Sequence, residues 1–254
     1  MQDKQRWMNV SIVTPNGVVG NDVLITGDRI TEIVPRQTPT GADWRIIDGK
    51  GQILFPGMID LLQHGFDLNF YSAPVPGCVA NSSALLPERG VTGFLPSILS
   101  MPPGDMPGTL RDLAQQCSEA MGARALGVHS EGPCFGVAGA HNPNNLLPPS
   151  LPLADSMLSA SDGRLKAVTI APELEGAEAF IKHMKHNGVS VHLGHSAALA
   201  DNVSRYVSWG IDAVTHMYNA LPGLPPDGSG VRRFSLSDAL IAEPDLALGL
   251  ICDG

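Results

Sequence analysis

The sequence predicts an α/β fold: a (β/α)8 barrel of the TIM type, short of its last strand, behind a small N-terminal β-sandwich module. Three observations predict it. Residues up to about Phe55 alternate apolar and polar side chains in short runs with no helical period. From Pro56 onward, strand-like and helix-like stretches follow one another, the pattern of a parallel sheet with right-handed crossovers. The ionisable residues His64, Glu131, His195, His216 and Asp253 all stand at the C-terminal ends of the strand candidates, the end at which such barrels build their sites.

The module, residues 1–55, is read from MNVSIVTPNGVV, NDVLITGDRITEIVP and WRIIDGKGQILFP, with turns at Asn16-Gly17, Gly27-Asp28 and Asp48-Gly49. The barrel, residues 56–254, offers seven strand candidates: GMIDLLQHG, VTGFLPSIL, ALGVHSEG, KAVTIAPE, VSVHLGHS, DAVTHMYN and LALGLICDG. Helices are expected over TLRDLAQQCSEAMG, GAEAFIKHMKHNG and AALADNVSRYVSWG, each stopped by its terminal glycine, with NPNNLLPPSLPL as a Pro-rich connection. An open doubly wound sheet is the structural alternative, although no G-x-G-x-x-G follows a strand. Seven strands leave two unpaired edges in a barrel meant for eight, so the chain is expected to be a fragment or to be completed by another chain.

Composition narrows the function. The 254 residues are 43% hydrophobic and 16% charged, ample for a core, and their 28 glycines and 21 prolines are spread along the chain. A net charge of −9 argues against sequence-independent nucleic-acid binding and against a basic membrane patch. No apolar stretch has the length of a membrane span, and MQDKQRWMNV is not a secretory signal, so a cytoplasmic protein is expected. Cys78, Cys117, Cys134 and Cys252 form no C-x-x-C pair and read as reduced thiols.

Strand parity sorts the histidines. His129 and Glu131, two apart, share a face; His192 and His195, three apart, face opposite sides, which places His192 between strand and helices. Glu131, His195 and His216 can therefore converge from three strand ends. One carboxylate and two imidazoles suit zinc or a similar divalent ion, with a position left for a nucleophilic water. Against this stands the plainer reading of three hydrogen-bonded polar residues. His129 reads either as interior packing or as support for the metal shell. His183 and His186 read as a solvated helix face. His141 is either a turn residue or a polariser on the rim, and Arg232 with Arg233 is either a solvated pair or an anion clamp.

PGMID, HSEGP, GAHNPN, VTIAPE, LGHS, THMYNA and the final DG occur in an order that resembles the amidohydrolase superfamily. Within it the chain resembles the N-acetylglucosamine-6-phosphate deacetylases. The resemblance covers nearly the whole chain. It implies that Glu131, His195 and His216 hold one divalent metal, zinc, and that Ala140 and His141 contact substrate, His141 acting on the acetamide carbonyl. It implies further that Asn219, Ala220 and Arg232 hold the sugar phosphate, that Asp253 begins a substrate-binding motif, and that the protein is a homodimer. The implied activity is metal-dependent release of acetate from a phosphorylated amino sugar. The rival readings are an amidohydrolase for another N-acyl or cyclic amide, and a metal- or sugar-phosphate-binding fragment without turnover. The family's His-x-His pair is represented by Leu62 and His64; leucine cannot ligate, so one metal is expected, with His64 lining the pocket. The strand carrying the family's general acid/base aspartate is expected to be missing from this chain.

Overall fold

A computed structural model describes residues 3–223, 228, 230 and 233–251. The chain divides into two compact units, Met1–Gly57 and Met58–Gly254.

The first unit holds seven strands: β1 (Lys4–Met8), β2 (Ser11–Thr14), β3 (Gly17–Val19), β4 (Asp22–Thr26), β5 (Arg29–Val34), β6 (Arg45–Asp48) and β7 (Ile53–Leu54). They form a four-stranded sheet ordered β5-β4-β1-β6 and a three-stranded sheet ordered β3-β2-β7. Val10, Ile12 and Val23 make one small core to which both sheets contribute, with Trp7, Val19, Ile25 and Leu54 around it. The β4–β5 loop is the two residues Gly27-Asp28, and Gly27 has φ +62°, a conformation glycine adopts without a Cβ clash.

The second unit opens with β8 (Met58–Gln63) and a two-stranded ribbon, β9 (Gly65–Phe66) and β10 (Asn69–Phe70). There follow α1 (Cys78–Leu85), β11 (Val91–Ile98), α2 (Met106–Gln116), β12 (Arg124–Ala125), β13 (Val128–Glu131), α3 (Leu151–Ser161) and β14 (Leu165–Ile170). The rest are α4 (Ala177–His186), β15 (Ser190–Leu193), α5 (Val203–Trp209), β16 (Ile211–Val214), α6 (Leu236–Ala242) and β17 (Ala247–Leu248). All seven expected barrel strands are present and pair in parallel in chain order, β8-β11-β13-β14-β15-β16-β17, with the short β12 also on β11. Among the described residues β8 pairs only with β11 and β17 only with β16, so the curled sheet is an incomplete barrel. β14 is buried at five of its six residues, as expected of a parallel strand covered on both faces. α4 buries Ala177, Phe180, Ile181 and Met184, the i, i+3, i+4, i+7 stripe that seats a helix on a sheet.

Three helix expectations are corrected. The helix expected to run to Gly122 ends at Gln116, continues as a 3-10 turn through Glu119 and then extends; Gly122 instead lets the backbone pass the Ser83 carbonyl, where a Cβ would collide. The helix expected from Ala197 begins at Val203, because the Ala197 amide donates to Glu173 Oε1 at 2.7 Å and holds the chain off the helical path. The connection read as Pro-rich contains the start of α3: Ser150 caps it by accepting from the Leu153 amide at 3.3 Å, and Pro152 sits in the first turn, where no N–H is needed. Cys78, Cys117 and Cys134 are buried free thiols; Cys252 lies outside the described residues. No helix among the described residues is long and apolar enough to cross a membrane.

Candidate metal centre

Four strands deliver side chains to one point. β13 ends on Glu131, which is 2% exposed, and four imidazoles close on its carboxylate. His195 Nε2 lies 3.2 Å and His216 Nε2 2.9 Å from Oε1; His64 Nε2 and His141 Nε2 each lie 3.0 Å from Oε2. His195 Nε2 and His216 Nε2 are 3.0 Å apart. Burial pushes the Glu131 carboxyl up, but the close contacts with His141, His195, His216 and His64 outweigh it and hold the group ionised, below the usual carboxylate range. For His216 burial pushes down and the Glu131 contact pushes up, with a net rise.

Strand ends explain how the imidazoles arrive. β15 stops at Leu193, Gly194 follows, and His195 has φ +51°. A Cβ on Gly194 would stand 2.6 Å from Thr169 Cγ2, so only glycine lets the chain pass the neighbouring strand here. His216 likewise follows the end of β16 with φ +31°. The segment after Glu131 folds over His195. The Gly136 and Val137 amides donate to its carbonyl at 3.0 and 2.8 Å, and Phe135 stacks on its ring at 4.1 Å. Glu173 accepts from Ser196 Oγ at 2.7 Å and anchors the chain just beyond.

The partners on the far side of each ring set its tautomer. His195 Nδ1–H donates to the Val137 carbonyl at 3.0 Å and His64 Nδ1–H to the Ser97 carbonyl at 3.2 Å, so in the neutral rings both Nε2 lone pairs face Glu131. His141 is the reverse: its Nδ1 accepts from the Ser100 amide at 3.1 Å, so its Nε2 carries hydrogen and donates to Glu131. His216 Nδ1 is buried and has no hydrogen-bond partner among the described residues. Two imidazole nitrogens facing each other beside an ionised carboxylate require a cation or a proton between them. The donor set therefore fits a divalent ion. Ligand atoms of Glu131, His141 and His195 lie within 4.8 Å of one another, a metal-compatible spacing; the tautomers distinguish His141 as the donor of that group.

The other expected residues are placed as follows. Ala140 is exposed on the loop that carries His141, and a Cβ on Gly139 before it would stand 3.0 Å from the His195 ring. The exposed Asn219 donates its amide to the His216 carbonyl at 2.9 Å, and the Ala220 carbonyl accepts from the Ser196 amide at 3.2 Å. Arg232 and Asp253 lie outside the described residues. His64, which the sequence placed only on the pocket wall, stands on Glu131; the signal was its position at the end of β8. Phe135 and the Ser97, Ser100 and Val137 backbone groups had no signal beyond their adjacency to the motifs. Cys134, next to the site, is pushed up to about 12 by burial and offers no thiolate.

His192 is a correction. Parity placed it between strand and helices, yet its ring packs edge-to-face on His129 at 5.1 Å. Parity failed because His195 lies beyond the end of β15, where strand alternation no longer applies. Burial lowers the His192 pKa from 6.5 to about 4. An unfolded chain takes up this proton between pH 6.5 and 4 while the folded one refuses it, so stability is lost as pH falls through that window. A His192→Phe variant is expected to show a shallower loss in urea unfolding between pH 7 and 4, by up to about 3 kcal/mol. An unchanged slope contradicts a neutral buried His192. His183, expected on a solvated face, is half-buried and pairs with Asp155 at 2.7 Å.

No protein-family model matches the chain. Known proteins do. It is 32% identical over 222 residues to an N-acetylglucosamine-6-phosphate deacetylase of Danio rerio, covering 84% of this chain and 54% of that protein. It is 30% identical over 196 residues to an N-acetylgalactosamine-6-phosphate deacetylase of Escherichia coli O157:H7, covering 76% of this chain and 52% of that protein. The crystal structure of N-acetyl-D-glucosamine-6-phosphate deacetylase from Mycobacterium smegmatis superposes with a TM-score of 0.84 at 25% identity, over 99% of this chain and 69% of that one. The chain thus spans about half the length of these curated relatives.

Proposed function

From the chain's membership of the N-acetylglucosamine-6-phosphate deacetylase family, within the amidohydrolase superfamily, we propose that it is the metal-dependent part of an enzyme converting N-acetylglucosamine 6-phosphate to glucosamine 6-phosphate and acetate. One observation carries the reading: a buried, ionised Glu131 ringed by the Nε2 atoms of four histidines at the C-terminal ends of parallel strands.

Glu131, His195 and His216 would hold a single divalent cation, zinc in our reading. The chemistry such an ion would supply there is Lewis-acid polarisation of the acetamide carbonyl and acidification of a water molecule. The chain's own groups supply the rest. Val137 keeps the His195 lone pair turned toward the ion. His141, locked as the Nε2–H tautomer, would turn that donor from Glu131 to the carbonyl oxygen as negative charge builds on it. Phe135 and the loop over it keep water from the ring of His195. Ala140, Asn219, Ala220, Arg232 and Asp253 would hold the sugar and its phosphate.

The two sheet edges open among the described residues, β8 and β17, and the greater length of the relatives support closure of the barrel by polypeptide outside these 254 residues. In this reading that polypeptide brings the general acid/base and completes the β-sandwich begun by residues 1–55. A cytoplasmic homodimer completes the proposal.

Acetate release by the zinc-loaded protein tests it. N-acetylglucosamine 6-phosphate is expected to react about a hundredfold or more faster than its unphosphorylated form, because a site built for a phosphate leaves charged groups unpaired without one. N-acetylgalactosamine 6-phosphate, the substrate named for the Escherichia coli relative, forms a third arm. Equal rates with and without phosphate overturn the substrate reading, and a protein that retains no metal overturns the mechanism.

A further inference from the structure

One buried group near the centre remains unused: His129, fully buried two residues before Glu131. Its Nδ1–H donates to the Leu61 carbonyl at 2.7 Å, and its Nε2 accepts from Thr169 Oγ1 at 2.8 Å. Thr169 Oγ1 in turn lies 2.8 Å from Thr215 Oγ1. The ring thus ties together β8, its own strand β13, β14 and the end of β16. Each tie falls a short step from a residue of the centre. Leu61 is three residues before His64, and Thr215 immediately precedes His216.

The Leu61 carbonyl is available for a physical reason. Among the described residues β8 is an edge strand paired with β11 alone, and its register on β11 shifts between Phe94 and Pro96. Pro96 brings no N–H to that stretch of the ladder. A carbonyl at such a gap needs another donor, and His129 supplies it from two strands away.

We propose that His129 is a positioning residue: its Nδ1–H bond to Leu61 holds the end of β8, and with it the His64 ring, against Glu131 Oε2, and so fixes the carboxylate that would hold the cation. The inference rests on the metal reading above. His129 touches neither cation nor substrate in this assignment. Its two arms make distinct predictions. Asparagine places its amide nitrogen where histidine has Nδ1 and keeps the Leu61 bond. Glutamine places its amide group where histidine has Nε2 and keeps the Thr169 contact alone.

The test is titration of the apo-protein with Co2+, followed by calorimetry and by the visible d–d absorption of the bound ion, with far-UV circular dichroism as the control for folding. His129→Asn is expected to bind Co2+ within about threefold of the parent with the parent's absorption band. His129→Gln and His129→Phe are expected to lose roughly 10- to 100-fold in affinity, as for other groups that orient metal ligands, and to shift the band. Should His129→Phe fail to fold, the asparagine–glutamine pair decides. Equal binding by parent and both polar variants, or equal loss in both, overturns the role of the Leu61 arm while the metal reading stands. A parent that binds no Co2+ overturns the metal reading and this inference with it.

Discussion

Replacing Glu131 by glutamine is expected to abolish stoichiometric metal binding and, with it, the acetate release proposed above. Among the described residues Glu131 is the carboxylate in contact with the four imidazoles, and it is almost wholly buried. Glutamine keeps the shape but removes the negative charge, and it sets an NH2 group against rings whose lone pairs already face inward. Removing one partner from a buried charge cluster costs about 3–5 kcal/mol. The expected result is a loss of Zn2+ affinity of roughly a thousandfold. Metal content after dialysis and calorimetric titration measure it. Retention of one zinc per chain by the variant would place the ion elsewhere.

The second large effect separates a donor from a ligand. His141→Phe should keep one bound metal per chain while lowering kcat by about a hundred- to a thousandfold, with KM nearly unchanged, as found when an oxyanion donor is removed. The reasoning is the tautomer: the Ser100 amide occupies Nδ1, so the inward nitrogen carries hydrogen and donates rather than ligates. His195 has the opposite arrangement, with Nδ1–H on a carbonyl. His216→Ala, by contrast, should lose the metal itself. If His141→Phe loses the metal as readily as His216→Ala, His141 is a ligand and the carbonyl-polarising role falls.

Much of the second unit was readable from residue order. Seven apolar runs ended in polar groups, and all seven became parallel strands in chain order, because adjacent strand–helix–strand units have essentially one way to pack. Parity joined His129 and Glu131 on one face and held, since both lie within β13. It failed for His192, since His195 stands past the end of its strand. The helices read from glycine stops were right in existence, and α4 and α5 stop beside their glycines; the first ends short of Gly122 and α5 starts late. Gly122 answers to a neighbouring carbonyl, and Ala197 to the Glu173 carboxylate. Neither partner is near in sequence.

By itself the sequence determined the strand order, the end of the sheet at which ionisable groups gather, and the candidates Glu131, His141, His195 and His216. These follow from local alternation and from the directionality of parallel strands. Only the tertiary structure decided which nitrogen each histidine presents, that His64 joins the same carboxylate, and that His129 meets the Leu61 carbonyl where the register of β8 on β11 shifts. Those outcomes depend on backbone carbonyls and amides brought close by folding, Ser97, Ser100, Val137 and Leu61. Every residue carries such groups, so no residue type in the sequence announces them.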